Sequence, residues 1–283
     1  MFIILVTWAF QAMSRAMLQE ASIVELHEKW MAQFGRTYVD SAEKEKRFKI
    51  FEENYEYVER FNNAGNNTYK LGINAFSDLT DEEFQASHTG SKMPISNPRF
   101  SKTITSFKYQ NLTTEVSENV DWRDQGGVTD VKNQGRCSCF WAFSAVAAVE
   151  GIVKIKTGEL QKLSEQQLLD CVQLGNDCSG GNMESAYDYI VENSIASESN
   201  YQYQEHKGPC DQAKAAKKAA EIIGSIKIAN ANEMQLKVFV AQQPISVYIN
   251  TDGDFRQYTV GIYNGNCKDS INHAVVIVGY GVS

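Results

Sequence analysis

Gln134-Gly135-Arg136-Cys137-Ser138-Cys139-Phe140-Trp141-Ala142-Phe143-Ser144 is the stretch on which the reading of this chain turns. A polar loop with a glycine runs into an apolar segment. Trp141, Ala142, Phe143, Ala145, Val146 and Val149 supply the packing face of a helix from about Phe140 to Lys156, ended near Gly158. Two cysteines stand at its start. The chain's 6 cysteines lie at 137, 139, 171, 178, 210 and 267, which marks a boundary between a cysteine-free front and an oxidised back. The 283 residues, 43% hydrophobic and 22% charged, suit one or two globular domains. A formal net charge of −8 without a long basic block excludes nucleic acid as a partner, and Lys214 to Lys218 reads as a solvated face.

Phe2 to Phe10 is an apolar stretch followed by small residues around Ala12 to Ala16, which fits a secretory signal over residues 1–19 and is too short to span a bilayer. From Ile23 to Asn62 the pattern is helical and charged, and two helices joined near Gly35 are predicted. In the second, Glu43, Arg47, Phe51, Asn54, Val58 and Asn62 recur every three or four residues and so share one face. Gly72-Ile73-Asn74-Ala75-Phe76-Ser77-Asp78 follows, and Ser87 to Asn119 reads as a connecting tail rich in Ser, Thr, Asn and Pro. Beyond the quoted stretch, Ser164 caps a helix whose third position is Gln167, and Cys178-Ser179-Gly180-Gly181 opens a helix from Met183 to Asn193. Val238 to Ala241, Ile245 to Ile249 and Ala274 to Val278 are β-branched runs predicted as strands.

The quoted stretch resembles the active-site helix start of the papain family of cysteine peptidases, whose pattern is Cys-Gly-[Ser/Ala]-Cys-[Trp/Tyr] with the second Cys as nucleophile. Aligned without gaps on Gln134, Cys137 and Trp141, the sequence carries Phe140 at the nucleophile position. A gapped alignment instead makes Cys139 the nucleophile. The ungapped register keeps the helix's packing face and turns Cys139 away from the cleft, because consecutive helical residues differ by about 100°. The six spaced positions in the front, with Gly72, Asn74, Phe76 and Asp78, resemble the two motifs of cathepsin-type inhibitory propeptides. The resemblance implies an α+β, two-domain papain-like fold, helical first and β-rich second. Its expected boundaries are a prosegment domain at 23–84, a linker and activation segment at 85–118, and a peptidase domain at 119–283.

The family's chemistry needs a thiolate at a helix N-terminus, a histidine to share its proton and donors for the oxyanion. The resemblance assigns His273 as the base, since it follows Phe140 by an interval within the family's roughly 130–150 residues. It assigns Gln134 as oxyanion donor and Gly180 and Gly181 as the edge that pairs with an extended substrate, although a glycine pair is also an ordinary turn. Tyr248 falls where the family places a small residue lining the pocket for the substrate's second side chain; core packing is the alternative. Pairs Cys137–Cys178 and Cys171–Cys210 are implied, with Cys267 left unpaired. The family's orienting Asn lies about 15–20 residues beyond the histidine, past the final Gly279 to Ser283. A second domain lacking that segment is expected to be unstable or rearranged, with an unpaired strand edge.

The expected partners are a peptide or protein substrate, the chain's own prosegment in the cleft and possible related cysteine peptidases, for a monomer with no metal and no organic cofactor. Sequons at Asn66 and Asn111 fit the secretory pathway, ending outside the cell or in a lysosome or vacuole. Three functions follow: an inactive peptidase homologue, an active peptidase using Cys139, or a non-enzymatic inhibitor or peptide binder.

Overall fold

A computed structural model of the chain describes residues 22–90, 116–173, 175–228, 232–251, 253–266, 268 and 270–281. In chain order the elements are α1 (22–34), α2 (Ser41–Asn63), β1 (Tyr69–Leu71), α3 (Asp81–His88), β2 (Val120–Asp121), α4 (Phe140–Thr157), α5 (Glu165–Cys171) and α6 (Met183–Asn193). Then come β3 (Ile195–Ala196), α7 (Gln212–Ala215), β4 (Lys218–Ala220), α8 (Glu233–Val240), β5 (Ile245–Ile249), β6 (Tyr258–Gly261), β7 (His273–Ile277) and β8 (Gly279–Tyr280). The long helices α2, α4 and α6 come early, strands β5 to β8 close the chain, and each described strand pair is antiparallel, as in an α+β fold. They form two compact units: described residues up to Phe84 with those of 252–267, and Gln85–Thr251 with the residues from Lys268 onward.

In the first unit, Gly35 takes φ +61°, a left-handed turn that separates α1 from α2. Asp40 caps α2 by accepting from the Glu43 N–H at 2.8 Å. Ile23, Trp30 and Phe51 form the hairpin's core, with Phe34, Phe48 and Tyr55 against them. A second cluster, Val58, Tyr69 and Leu71, is closed by Tyr258 and Tyr263. β1 pairs antiparallel with β6, Tyr69 opposite Gly261 and Leu71 opposite Tyr258. Gly261 must be a glycine there, since a Cβ would lie 2.4 Å from the Thr68 carbonyl oxygen and φ is +102°.

The second unit is built around α4, buried on nearly every side from Phe140 to Gly151. Gly158 ends it in the left-handed conformation. Leu163, Leu168, Leu169, Ala186, Ile190 and Ile195 complete the core. Ser164 accepts from the Gln167 N–H at 3.0 Å to start α5. β5 and β7 pair antiparallel from Ile245 opposite Ile277 to Ile249 opposite His273, and β2 pairs with β8. Glu150, 1% exposed on α4, and Glu165 share the Lys132 ammonium at 2.6 Å each.

One predicted strand is a helix. Val238 to Ala241 forms the end of α8 and its C-cap, with Val238 and Val240 buried. The local cause is a capping box: Asn232 accepts from the Gln235 N–H at 2.8 Å, and the Gln235 side chain accepts from the Asn232 N–H at 3.1 Å. A four-residue apolar run carries too little periodicity to overrule such a start signal. The expected tail also begins later than its composition suggested, because α3 continues to His88.

Candidate active site

The first turn of α4 and the first residue of β7 bring Phe140 and His273 together. Their ring centroids are 5.0 Å apart at 52°. Phe140 is 1% exposed. His273 Nδ1 is buried without a hydrogen-bond partner among the described residues. Burial, with the nearby His88 as a lesser cause, holds the imidazole down to about pKa 4. A neutral histidine thus faces a phenyl ring that can neither give nor take a proton.

Cys139 is the N-cap residue of α4 and makes no side-chain cap. It is fully buried, and its Sγ lies 3.0 Å from the Tyr203 hydroxyl. Tyr203 donates its own proton to the Gln134 carbonyl at 2.7 Å, which leaves its oxygen to accept from the thiol. Burial pushes the Cys139 thiol up to about pKa 12. Reactive cysteines are exposed and shifted the other way.

Residues 85–90 lie along the second unit's cleft. Gln134 Nε2 donates to the His88 carbonyl at 3.0 Å, and Ser138 Oγ to the Ser87 carbonyl at 3.0 Å. The Gly90 N–H reaches the Asn272 carbonyl at 2.9 Å, and Asn272 Nδ2 donates to Gln85 Oε1 at 2.8 Å. Asn272 is itself fixed by Thr251, whose N–H and hydroxyl donate to Asn272 Oδ1 at 2.9 and 3.0 Å. The segment passes so close to Phe140 that a Cβ on Gly90 would lie 2.8 Å from the ring's Cζ, and 3.7 Å from Gly180 Cα. Gly180 exchanges backbone hydrogen bonds with Asp177, and a Cβ on Gly181 would lie 2.4 Å from Trp141 Nε1. Gly181 is therefore required by close packing, and Gly180 takes φ +128°, a backbone conformation that favours glycine. Tyr248, on β5, accepts from the Met183 N–H at 3.1 Å and donates to Glu184 Oε2 at 3.2 Å. Burial and the Glu184 carboxylate raise its pKa.

Cys137 is bonded to Cys178 and Cys171 to Cys210, tying the start of α4 and the end of α5 to the loops beside them. In the first unit, Arg47 donates to Glu43 at 2.7 Å, to the Asp78 carbonyl at 2.9 Å and to Glu83 at 2.6 Å. Asn54 donates to the Ser77 and Leu79 carbonyls, and Asn62 to the Leu71 carbonyl. Asn74 reaches the Arg256 carbonyl, while Phe76 packs edge-on against Phe84 at 5.2 Å. Asp78 accepts from the Tyr38 hydroxyl, and Phe51 and Val58 are buried. Gly72 lies against Thr259. Asn66 is exposed in the loop before β1. Residues 1–19, Asn111 and Cys267 lie outside the described residues. Nothing in the sequence marks Ser138, Asn272, Gly90 or Tyr203 as site residues. The first two adjoin recognised positions; Tyr203 comes from a distant loop and carries no local signal.

The sequence profile described as "Papain family cysteine protease" matches residues 116–283, and "Cathepsin propeptide inhibitor domain (I29)" matches residues 27–84. Fruit bromelain of Ananas comosus is 42% identical over 255 residues, 90% of this chain and 71% of that protein. The senescence-specific cysteine protease SAG39 of Oryza sativa subsp. indica is 41% identical over 273 residues, 95% of this chain and 79% of that one. Among solved structures, a recombinant stem bromelain precursor superposes with a TM-score of 0.84 at 40% identity, covering 93% of this chain and 83% of its own. Digestive procathepsin L2 from the Tenebrio molitor larval midgut gives 0.84 at 36%, covering 92% and 86%. This chain belongs to the papain family of cysteine proteases and carries a cathepsin-type inhibitor prosegment.

Proposed function

We propose that this papain-family chain does not hydrolyse peptide bonds and instead keeps its cleft filled by residues 85–90 of its own prosegment. The observation that carries this reading is Phe140 at the start of α4 with its ring 5.0 Å from His273, in the ungapped register of the family's nucleophile. Loss of a hydrolase's nucleophile costs about six orders of magnitude in rate, roughly 8–9 kcal/mol of barrier. Cys139 does not supply the substitute, because its thiol is buried against Tyr203 and held protonated. Turnover of a Phe-Arg peptide by the full chain, measured between pH 4 and 7 beside Cys139→Ala, tests the reading. The two proteins should be equally inert. Turnover that vanishes in Cys139→Ala would establish the rival, a peptidase using Cys139.

A second reading has its own support. Each polar residue of the prosegment's helix motif is engaged within the first unit, so this part is equipped to inhibit related active peptidases. Micromolar residues 23–90 should then slow such an enzyme, and absence of inhibition refutes it. Two disulfides and the exposed Asn66 sequon support a secretory route, ending outside the cell or in a vacuole.

A further inference from the structure

Asn66 stands in the turn that carries the chain from α2 into β1. Gly65, at φ +83°, bends the backbone away from the helix end at Asn63. Asn66 is exposed, and its neighbours anchor the loop: Asn67 Nδ2 donates to the Phe61 carbonyl at 3.0 Å, and Thr68 Oγ1 to the Ile262 carbonyl at 2.6 Å. Asn66-Asn67-Thr68 is an Asn-x-Thr acceptor sequence, whereas Asn67-Thr68-Tyr69 is not. The strand opposite is apolar on its open side. Val260, 60% exposed, stands opposite Lys70, and Ile262, 57% exposed, stands opposite Thr68, whose carbonyl accepts its N–H at 2.9 Å. Side chains two residues apart on a strand share a face, so Thr68, Lys70, Val260 and Ile262 form the outer face of this two-stranded sheet, away from the buried Tyr69 and Leu71. An apolar pair left open to water on a short sheet is a template for unwanted association.

We propose that Asn66 is an N-glycosylation site and that its glycan lies over Val260 and Ile262, covering the outer face of the β1–β6 sheet. The inference rests on the secretory route proposed above, which supplies the co-reactant, an oligosaccharide joined through its first sugar to a lipid diphosphate. Asn66 Nδ2 bonds to C1 of that sugar, the C1–O bond breaks with its electron pair leaving on the diphosphate, and the amide gives up one proton. At about 3.3 Å per extended residue, Asn66 lies at most about 7 Å along the chain from Thr68. The sugars nearest the attachment therefore meet Ile262 first and Val260 next. A sugar ring presents C–H groups on its faces and hydroxyls at its edge, so it covers an apolar side chain while keeping its polar groups in water.

The full chain, expressed in a eukaryotic secretory host both as it stands and behind an added secretory signal, tests the site. Release of glycans by an amidase in heavy-oxygen water converts an occupied Asn into a labelled Asp, which peptide mapping locates. The label should appear at residue 66 in the signal-fused wild type and in Thr68→Ser, and be lost in Thr68→Val. An unlabelled Asn66 in the signal-fused wild type would overturn the proposal. Label in the signal-fused chain but not in the chain as it stands would refute the secretory route and leave the site standing. Glycan removal should also raise the fluorescence of an added apolar dye at least about twofold in the wild type, and not in the double variant Val260→Ser, Ile262→Ser. An unchanged signal in the wild type, or an equal rise in the double variant, would overturn the covering role.

Discussion

Gly90 and Phe140 fit each other with no room to spare. A Cβ on Gly90 would sit 2.8 and 3.1 Å from two ring carbons of Phe140, closer than packed carbons tolerate. Gly90→Ala should therefore cost about 1–3 kcal/mol of the segment's hold on the cleft, read as faster exchange of the Gly90 N–H. Phe140→Ala should relieve most of that cost in a double-mutant cycle. His273 gives a second test at this scale. Its ordinary pKa of 6.5 falls to about 4 in the fold, so between those values the unfolded chain binds the proton and the folded chain does not. Its stabilising contribution is present above about pH 6.5 and is lost as pH falls toward 4, by about 3 kcal/mol in total. Urea unfolding at pH 7 and pH 4 should show a smaller acid loss in His273→Gln than in the wild type. Equal losses would contradict the buried, neutral imidazole.

Elements with a start signal and a long period were legible in the sequence. α4 and α6 stand where their apolar faces and flanking glycines or caps put them, and α5 follows from Ser164. α8 was not, because its decisive feature is a reciprocal pair of side-chain hydrogen bonds upstream of a short β-branched run. The α1–α2 hairpin was visible as spacing, but not which contacts stabilise it. Phe51 is 0% exposed and packs at 5.1 Å on Trp30 and 5.0 Å on His27. Phe51→Ala should destabilise the hairpin by about 3–5 kcal/mol, seen as early exchange of α1 and α2. Phe76 is only partly buried and packs edge-on against Phe84, so Phe76→Ala should cost less.

At the scale of the molecule, the described disulfides belong to one unit. Loops of 41 and 39 residues closed by Cys137–Cys178 and Cys171–Cys210 should each contribute roughly 3–4 kcal/mol by restricting the unfolded chain. Reduction should lower the protection of α4 and α5 while leaving the α1–α2 hairpin as it was, which peptide-level exchange resolves. The candidate site was partly legible for a related reason. Phe140, His273 and Gln134 sit in or beside motifs that are continuous in sequence, whereas their surroundings are assembled by folding. Tyr203 and the chain's own residues 85–90 reach the site only through tertiary packing. Burial against Tyr203, rather than any motif, is what covers the Cys139 thiol and raises its pKa. Alkylation of the native chain by iodoacetamide at pH 7, mapped by mass spectrometry, tests this account most directly. The prediction is no adduct at Cys139 in the native wild-type chain and one adduct there once the chain is unfolded in urea. Ready alkylation of Cys139 in the native wild type would contradict it.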